Sequence, residues 1–418
     1  MNHELYPYIY AVLYLVVYVM TIFWGKRAEF GRVILLIYTI ASASSIYFYC
    51  NSLYSNMKLQ LIPYIYLFFT TIICICPFLF YGNIFKYKLS VSAKLDALLT
   101  FVSWVLGVMA LWWFLECLKI VLTNDLSQVD FDRNYEGYDY TGVRITWLGR
   151  KLKFVILHTI DILVFLLYYQ LWKKEKQKIL IFVLLLGSLA SPIDAFIGGK
   201  RFAVVLAMFR YLIFYFMFKS YLSKGIQNKI RVLFIVCGIL GGCALFLITL
   251  SRYMSNEYSL DMMTWMTLYS GEGPLRFNLQ AWDMTVHTEG DNTFSFVKDI
   301  LGLNTKTNFT DKDLYWGRQH HLQYAVYYTF VGDIFFDFGV IGTFVLLATL
   351  SLCIYKTILN YRGQIGYILT IYAFGKLVIF GFTYNPYILH NSQIDLFILL
   401  LFAKILNLVG ENKNQIRL

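Results

Sequence analysis

Charge is scarce in this 418-residue chain: Asp, Glu, Lys and Arg together make up 15% of it, against 59% hydrophobic residues. A chain with so few ionisable groups cannot cover a water-facing surface, which excludes an ordinary soluble protein. Proline is rare too, with six residues, so little interrupts the apolar runs. The seven cysteines, Cys50, Cys74, Cys76, Cys117, Cys237, Cys243 and Cys353, all lie in or at the edge of such runs. None sits in a long polar loop, which argues against a disulfide framework or a zinc site. There is no repeat of 20 to 50 residues and no pair of inverted halves, which counts against a repeat-built transporter. The first apolar run has no basic stretch before it and ends in GKRAEFGR instead of a small-residue cleavage site, so it reads as a span and not as a leader.

Apolar runs long enough to span a bilayer cover roughly 5–24, 33–53, 61–82, 96–122, 152–171, 179–197, 202–218, 232–250, 326–355, 365–384 and 392–409, at about 20 residues per crossing. The expectation is an all-α polytopic integral membrane protein of about 11 transmembrane helices, one membrane domain over 1–418. The connections alternate. One set is short and basic: Lys26/Arg27/Arg32, Lys86/Lys88/Lys94, Lys173 to Lys178, Lys219/Lys224/Lys229/Arg231, Lys356/Arg362 and the Lys413/Arg417 tail. Excess Lys and Arg marks cytoplasmic connections, so the N-terminus is expected outside and the C-terminus in the cytoplasm. The long loops, 123–151 and 251–325, then face outward. Topology and anionic headgroups account for the net charge of +11, and no nucleic-acid partner is needed.

Ionisable groups inside spans usually face a cavity or a partner. Here Glu116, Lys119, His158, Asp161, Asp194, Asp333, Asp337 and Asp395 all fall in the outer half, with Lys376 the mid-span exception. That bias favours binding or chemistry at the external leaflet over charge transport through the full thickness. The stretch SPIDAFIGGKRF places Lys200 and Arg201 in an outer turn after two glycines. Arg binds phosphate as a fork and Lys as a point charge, with helix N–H groups nearby; snorkelling to headgroups is the competing reading. In the long loop, Met254, Tyr258, Met262, Trp265, Met266 and Tyr269 recur at helical spacing, as in a helix lying on lipid or over the bundle. Arg252 leaves the eighth run at the outer surface, and SGEGPLRF is expected to hold Glu272 and Arg276 in a Gly/Pro turn. WGRQHHL brings Arg318, His320 and His321 to the next span. Adjacent histidines diverge by about 100° on a helix, a poor metal pair, and the DFG at 337–339 lacks the rest of a kinase.

Taken together, the spans, the long loop before the last three helices, GGKRF, LYSGEGPLRFNLQAW and YTFVGDIFFDFGVIG resemble the Wzy-type oligosaccharide repeat-unit polymerases of O-antigen and capsule assembly. Residues about 190 to 345 carry the likeness. It implies a GT-C-like, metal-independent membrane glycosyltransferase without cofactor. Such an enzyme, in the bacterial cytoplasmic (inner) membrane, moves a growing glycan from undecaprenyl pyrophosphate to a new lipid-linked repeat unit. A chain-length regulator would be a possible partner. The Arg-x15-Gly spacing of some members is missing from the long loop; Arg133 and Gly149 match it only in the first. Sugar attack with pyrophosphate departure needs cations where charge develops and a base at the acceptor. Lys200, Arg201, Arg252 and Arg276 are the candidate pyrophosphate ligands. Glu272, His321 and Asp194, in that order, are candidate bases. Tyr269, Trp282 and Arg318 are candidate substrate contacts, with Trp265 and Trp316 as further stacking surfaces. The rival readings are an O-antigen ligase using the same donor, a lipid-linked oligosaccharide flippase, and a membrane O-acyltransferase built on His158.

Overall fold

The computed structural model describes residues 3–123, 146–173, 177–197, 201–254, 262–307, 309–318 and 328–410. Hydrocarbon offers backbone N–H and C=O groups no partners, so apolar runs satisfy them internally as helices. Among the described residues there is no strand, only an isolated bridge between Ser90 and Gln364. The α-helices are α1 (Tyr6–Ile22), α2 (Glu29–Asn51), α3 (Leu61–Leu79), α4 (Ala93–Thr123), α5 (Trp147–Trp172), α6 (Lys178–Ser188), α7 (Ala190–Ile197), α8 (Arg201–Phe218) and α9 (Lys224–Met254). They continue as α10 (Met262–Arg276), α11 (Ser295–Ile300), α12 (Phe309–Lys312), α13 (Thr329–Leu359), α14 (Ile365–Phe380) and α15 (His390–Gly410).

Among the described residues each apolar run of the sequence is helical over most of its length, and the run 179–197 is broken at Leu189 into α6 and α7. Nine helical segments among the described residues are long and apolar enough to cross a membrane, and α14 is a shorter apolar helix. The chain is therefore an all-α protein with the build of a multi-pass membrane protein.

Side-chain contacts sort the connections into two ends. At one end, Lys219 of the α8–α9 connection pairs with Glu29 at the start of α2, and Lys173 pairs with Asp96 of α4 at 2.7 Å. Arg362 bonds the Tyr87 hydroxyl there as well. At the other end, the α2–α3 connection meets the long loop, with the Gln60 N–H donating to Asn278 Oδ1 at 2.9 Å. Lys153 of α5 pairs with Asp194 of α7 there at 2.9 Å. The up-and-down order expected from alternating loops is thus the order the helices adopt, giving a basic end and a loop end.

α14 is central, flanked by α3, α8, α13 and α15, and fourteen of its residues are buried. Burial on all sides explains why it is apolar all round without amphipathic patterning. Its one charge, Lys376, the mid-span exception, donates to Asp161 Oδ2 of α5 at 2.7 Å. Where α6 crosses α4, a Cβ on Gly187 would stand 2.7 Å from Ala110 Cβ; small residues let helices approach where lipid supplies no hydrophobic drive. α9 meets α8 along a narrow antiparallel stripe, Tyr215 against Arg231 and Phe234, and Met208 against Gly241. Its residues Val232, Leu233, Ile235, Val236 and Ile239 are exposed.

The long loop is clamped to the bundle. Asp337 of α13 accepts from the Thr288 hydroxyl, the Asn292 N–H at 3.1 Å and the Thr293 N–H at 2.6 Å. Two residues on, Gly339 breaks the helical conformation at φ 62°, and a Cβ there would meet His287 Nε2 at 2.8 Å. Asp291 accepts from Lys298 at 2.5 Å, the Thr305 hydroxyl at 2.9 Å and Trp316 Nε1 at 3.0 Å. Buried Lys312 reaches Asn292 Oδ1 at 3.3 Å and the Ile388 carbonyl at 3.1 Å. Trp316 is thus a structural donor, which its exposed-loop position in the sequence did not suggest.

One expectation is corrected. SGEGPLRF is not a turn: Ser270 to Arg276 complete α10, with Pro274 inside the helix, and a π-helical stretch Phe277–Ala281 follows. Of the readings open for the Met/Trp/Tyr helix, on lipid or against the bundle, the described part of α10 takes the second: it packs along α2 and touches α13. The glycines that read as turn residues serve close approach instead. A Cβ on Gly271 would stand 2.6 Å from the Ser44 carbonyl oxygen, and one on Gly273 3.0 Å from Thr329 Cγ2.

Candidate functional site at the loop end

Glu272 and Arg276 sit one turn apart on α10, on the same face as Tyr269. Close packing through Gly271 carries this face into the bundle, so both charged side chains are buried, at 7% and 14% side-chain exposure. Arg276 Nη2 donates to Glu272 Oε1 at 2.8 Å. Tyr54, from the turn between α2 and α3, donates its hydroxyl to the same oxygen at 3.2 Å, and the guanidinium lies over the Tyr54 ring at 5.8 Å. Arg276 Nη1 meets Gln280 Oε1 at 3.4 Å, which also accepts from the Tyr328 hydroxyl at 2.8 Å.

Two donors therefore converge on Oε1, while Oε2 makes no hydrogen bond among the described residues and is not sealed in. A carboxylate gripped by one oxygen with the other open is oriented for proton abstraction or for accepting a substrate hydroxyl. Burial, followed by the nearby Glu272 charge, pushes the Tyr54 hydroxyl up to about 12, so Tyr54 remains a donor at neutral pH. Burial also pushes Tyr328 well above the usual phenol range. A buried ion pair does little for stability by itself, because desolvation offsets attraction.

Beneath this cluster the backbone is strained. Thr329, at the start of α13, has φ 69°, a conformation a β-branched residue adopts at a cost of about 1–3 kcal/mol. Its N–H is held by the Thr383 carbonyl at 2.9 Å. The close approach of Gly273 to Thr329 and the Thr329–Thr383 bond tie the foot of α10 to the α14–α15 turn.

The other sequence candidates distribute as follows. Arg201 opens α8 and Arg252 lies in the last turn of α9; the antiparallel register of the two helices puts both at the loop end. Lys200, His321 and Arg133 lie outside the described residues. Asp194 is paired with Lys153, whose ammonium also stands 5.4 Å above the Trp113 ring. Its helix α7 packs on α4 and α8, whereas α10 packs on α2 and α13, so the two candidate carboxylates occupy different neighbourhoods. Trp282 is engaged in an aromatic cluster, 5.4 Å from Tyr66 and stacked 5.8 Å from Phe335. Arg318 is exposed and Tyr269 half-buried. Tyr54, Gln280 and Tyr328 escaped the sequence reading. Nothing local to NSLYSN marks Tyr54 as the partner of a residue 218 positions away.

A groove of about 930 Å³ opens at the basic end, lined by Tyr169, Trp172, Tyr221, Asp96 and Lys173. The Lys173 ammonium there is already taken by Asp96 and, at 3.2 Å, by the Thr100 hydroxyl. The groove therefore presents a satisfied pair, whereas the loop end presents an open carboxylate oxygen. In comparisons with known proteins, no family model, no curated protein and no solved structure matches the chain.

Proposed function

We propose that this protein polymerises lipid-linked oligosaccharide repeat units. In this reading it is a metal-independent glycosyltransferase of GT-C-like architecture with about eleven spans, and the loop end faces outward from the bacterial cytoplasmic membrane. The growing glycan leaves undecaprenyl pyrophosphate and joins the non-reducing end of a new lipid-linked unit. The observation that carries the reading is Glu272: a buried carboxylate, oriented through Oε1 by Tyr54 and Arg276, with Oε2 free at the end of the bundle that carries the long loops.

In this mechanism Glu272 Oε2 takes the proton of the acceptor hydroxyl as that oxygen bonds to the anomeric carbon. The bond from anomeric carbon to phosphate oxygen breaks, and the electron pair leaves with the pyrophosphate. Arg201 and Arg252, at the loop ends of α8 and α9, are assigned to the leaving group, where planar forks match phosphate oxygens. Arg276 orients Glu272 through Oε1.

The test is the glycan ladder formed by cells expressing variants at matched membrane abundance. Removing a charge-assisted contact to a leaving group costs about 2–4 kcal/mol, or about thirtyfold to a thousandfold in rate. Arg201→Lys and Arg252→Lys should lose polymer even though the charge is kept, while Arg133→Lys should not. If Arg201→Ala and Arg252→Ala both make wild-type ladders, these cations are headgroup anchors and the assignment fails.

A further inference from the structure

One apolar face of the long loop stands outside the bundle. Phe294, Val297, Ile300 and Leu301 recur at helical spacing along α11 and its flanking residues, and all four are exposed, Ile300 and Leu301 at 65% each. The ionisable side chains of the helix point elsewhere: Lys298 reaches Asp291 at 2.5 Å, and Asp299 lies 3.8 Å from His390 Nε2. Single exposed apolar residues are ordinary, but four on one uncharged helix face mark a partner.

What α11 rests on fixes its level. α15 has 21 residues, about 31 Å at 1.5 Å per residue, which matches the thickness of the bilayer hydrocarbon. α11 lies across the first two turns of that helix. The Phe296 N–H donates to Gln393 Oε1 at 2.9 Å, and the Phe296 ring stands 5.7 Å from the His390 ring and 5.5 Å from the Phe397 ring. Phe397, two turns into the span, is itself 51% exposed on the outside of the bundle. On the other side the Phe294 ring is 5.8 Å from Phe338, just before the break at Gly339, after which exposed Val340 and Ile341 open the outer face of α13. The apolar face of α11 thus continues the lipid-facing surfaces of α13 and α15. The chain then turns away from it. Gly302 has φ 67°, its N–H donates to the Asp299 carbonyl at 3.0 Å, and the Leu303 N–H donates to the Lys298 carbonyl at 2.9 Å. This is a Schellman turn, and it folds the chain back over Lys298 toward the Asp291 clamp.

We infer that α11 is a membrane foot: an interfacial helix whose Phe294, Val297, Ile300 and Leu301 face sinks into the leaflet at the loop end and seats the long loop on lipid. The partner is the boundary between headgroups and acyl chains, with no particular lipid required. The polar back of the helix joins the foot to the rest of the loop, since Lys298 shares Asp291 with Thr305 and Trp316. The inference holds for either side of the membrane and does not rest on glycosyl transfer.

The test is a nitroxide depth measurement on the purified full chain in phosphatidylcholine nanodiscs, with the native cysteines replaced. Spin labels at Ile300→Cys and Leu301→Cys should meet dissolved oxygen, which concentrates among acyl chains, more than a water-soluble nickel chelate. A label at Asn304→Cys, exposed beyond the Schellman turn, should show the reverse order. Should either labelled face variant fail to fold, Val297→Cys takes its place. Chelate access exceeding oxygen access at both face positions puts the face in water and overturns the inference. Low access to both reagents means that protein, such as a second copy of the chain, covers the face, which overturns it equally.

Discussion

The hydroxyl of Tyr54 and the carboxylate of Glu272, 218 positions apart, are joined by a 3.2 Å hydrogen bond. The bond fixes the α2–α3 turn to α10 and, with Arg276, occupies Oε1, so that Oε2 is the oxygen the proposed reaction would use. Glu272→Gln keeps the shape and removes the proposed base, so on that reading polymer formation should fall by about a hundredfold or more. Tyr54→Phe leaves Arg276 alone on Oε1 and should cost about 1 kcal/mol, or roughly fivefold in rate. Initial rates on purified protein with a lipid-linked repeat unit would measure both, and a fully active Glu272→Gln removes Glu272 from the chemistry.

Burial pushes the Lys312 ammonium down to about 8, against attraction from Asp337, Asp291 and Asp333. An unfolded lysine titrates near ~10.4. Between these values the unfolded chain holds the proton more than the folded one does. This group's contribution to stability therefore rises as pH climbs from about 8 to about 10.4, and is level below about 8. The change amounts to about 2–4 kcal/mol. Unfolding of wild type and Lys312→Met across that window is the measurement. The variant should show the flatter slope, and equal slopes would contradict the burial argument.

Gly271 and Gly238 should respond oppositely to alanine. A Cβ at Gly271 meets the Ser44 carbonyl at 2.6 Å, whereas one at Gly238 on α9 meets nothing within 4 Å. Gly271→Ala should destabilise by about 1–3 kcal/mol through forced backbone shifts. Gly238→Ala should gain up to about 1 kcal/mol of helix propensity. Thermal unfolding in detergent distinguishes them.

The outward orientation proposed for the loop end rests on the basic connections alone. In a background without native cysteines, a membrane-impermeant thiol reagent should label Leu303→Cys, an exposed loop position, and spare Gln177→Cys at the basic end. The reverse pattern would invert the topology and remove the external site.

Much of the scaffold was legible because its cause is local. Each apolar run had to become helix, since no other structure satisfies a backbone in hydrocarbon. The alternation of basic and long connections carried the up-and-down order. The reading of SGEGPLRF failed for a specific reason: Gly and Pro mark turns when helix propensity decides, but here tertiary contact decides. Gly271 and Gly273 remove side chains so that α10 can lie against Ser44 and Thr329. Of the candidate site, Glu272 and Arg276 were each named from the sequence, but in separate roles and in a turn; their pairing across one turn of α10 came only from the structure.

By itself the sequence determined that this chain is a helical, multi-pass membrane protein, because composition and run length act residue by residue on the solvent the chain must choose. It also determined that charge would gather in particular spans. Only the tertiary structure decided which charges meet: Lys376 with Asp161 and Arg210, His158 with Asp395, Lys153 with Asp194, and Tyr54 with Glu272. Each pairing joins different helices or connections, and its partners lie on faces whose rotation is set by neighbouring packing and is not written in either segment.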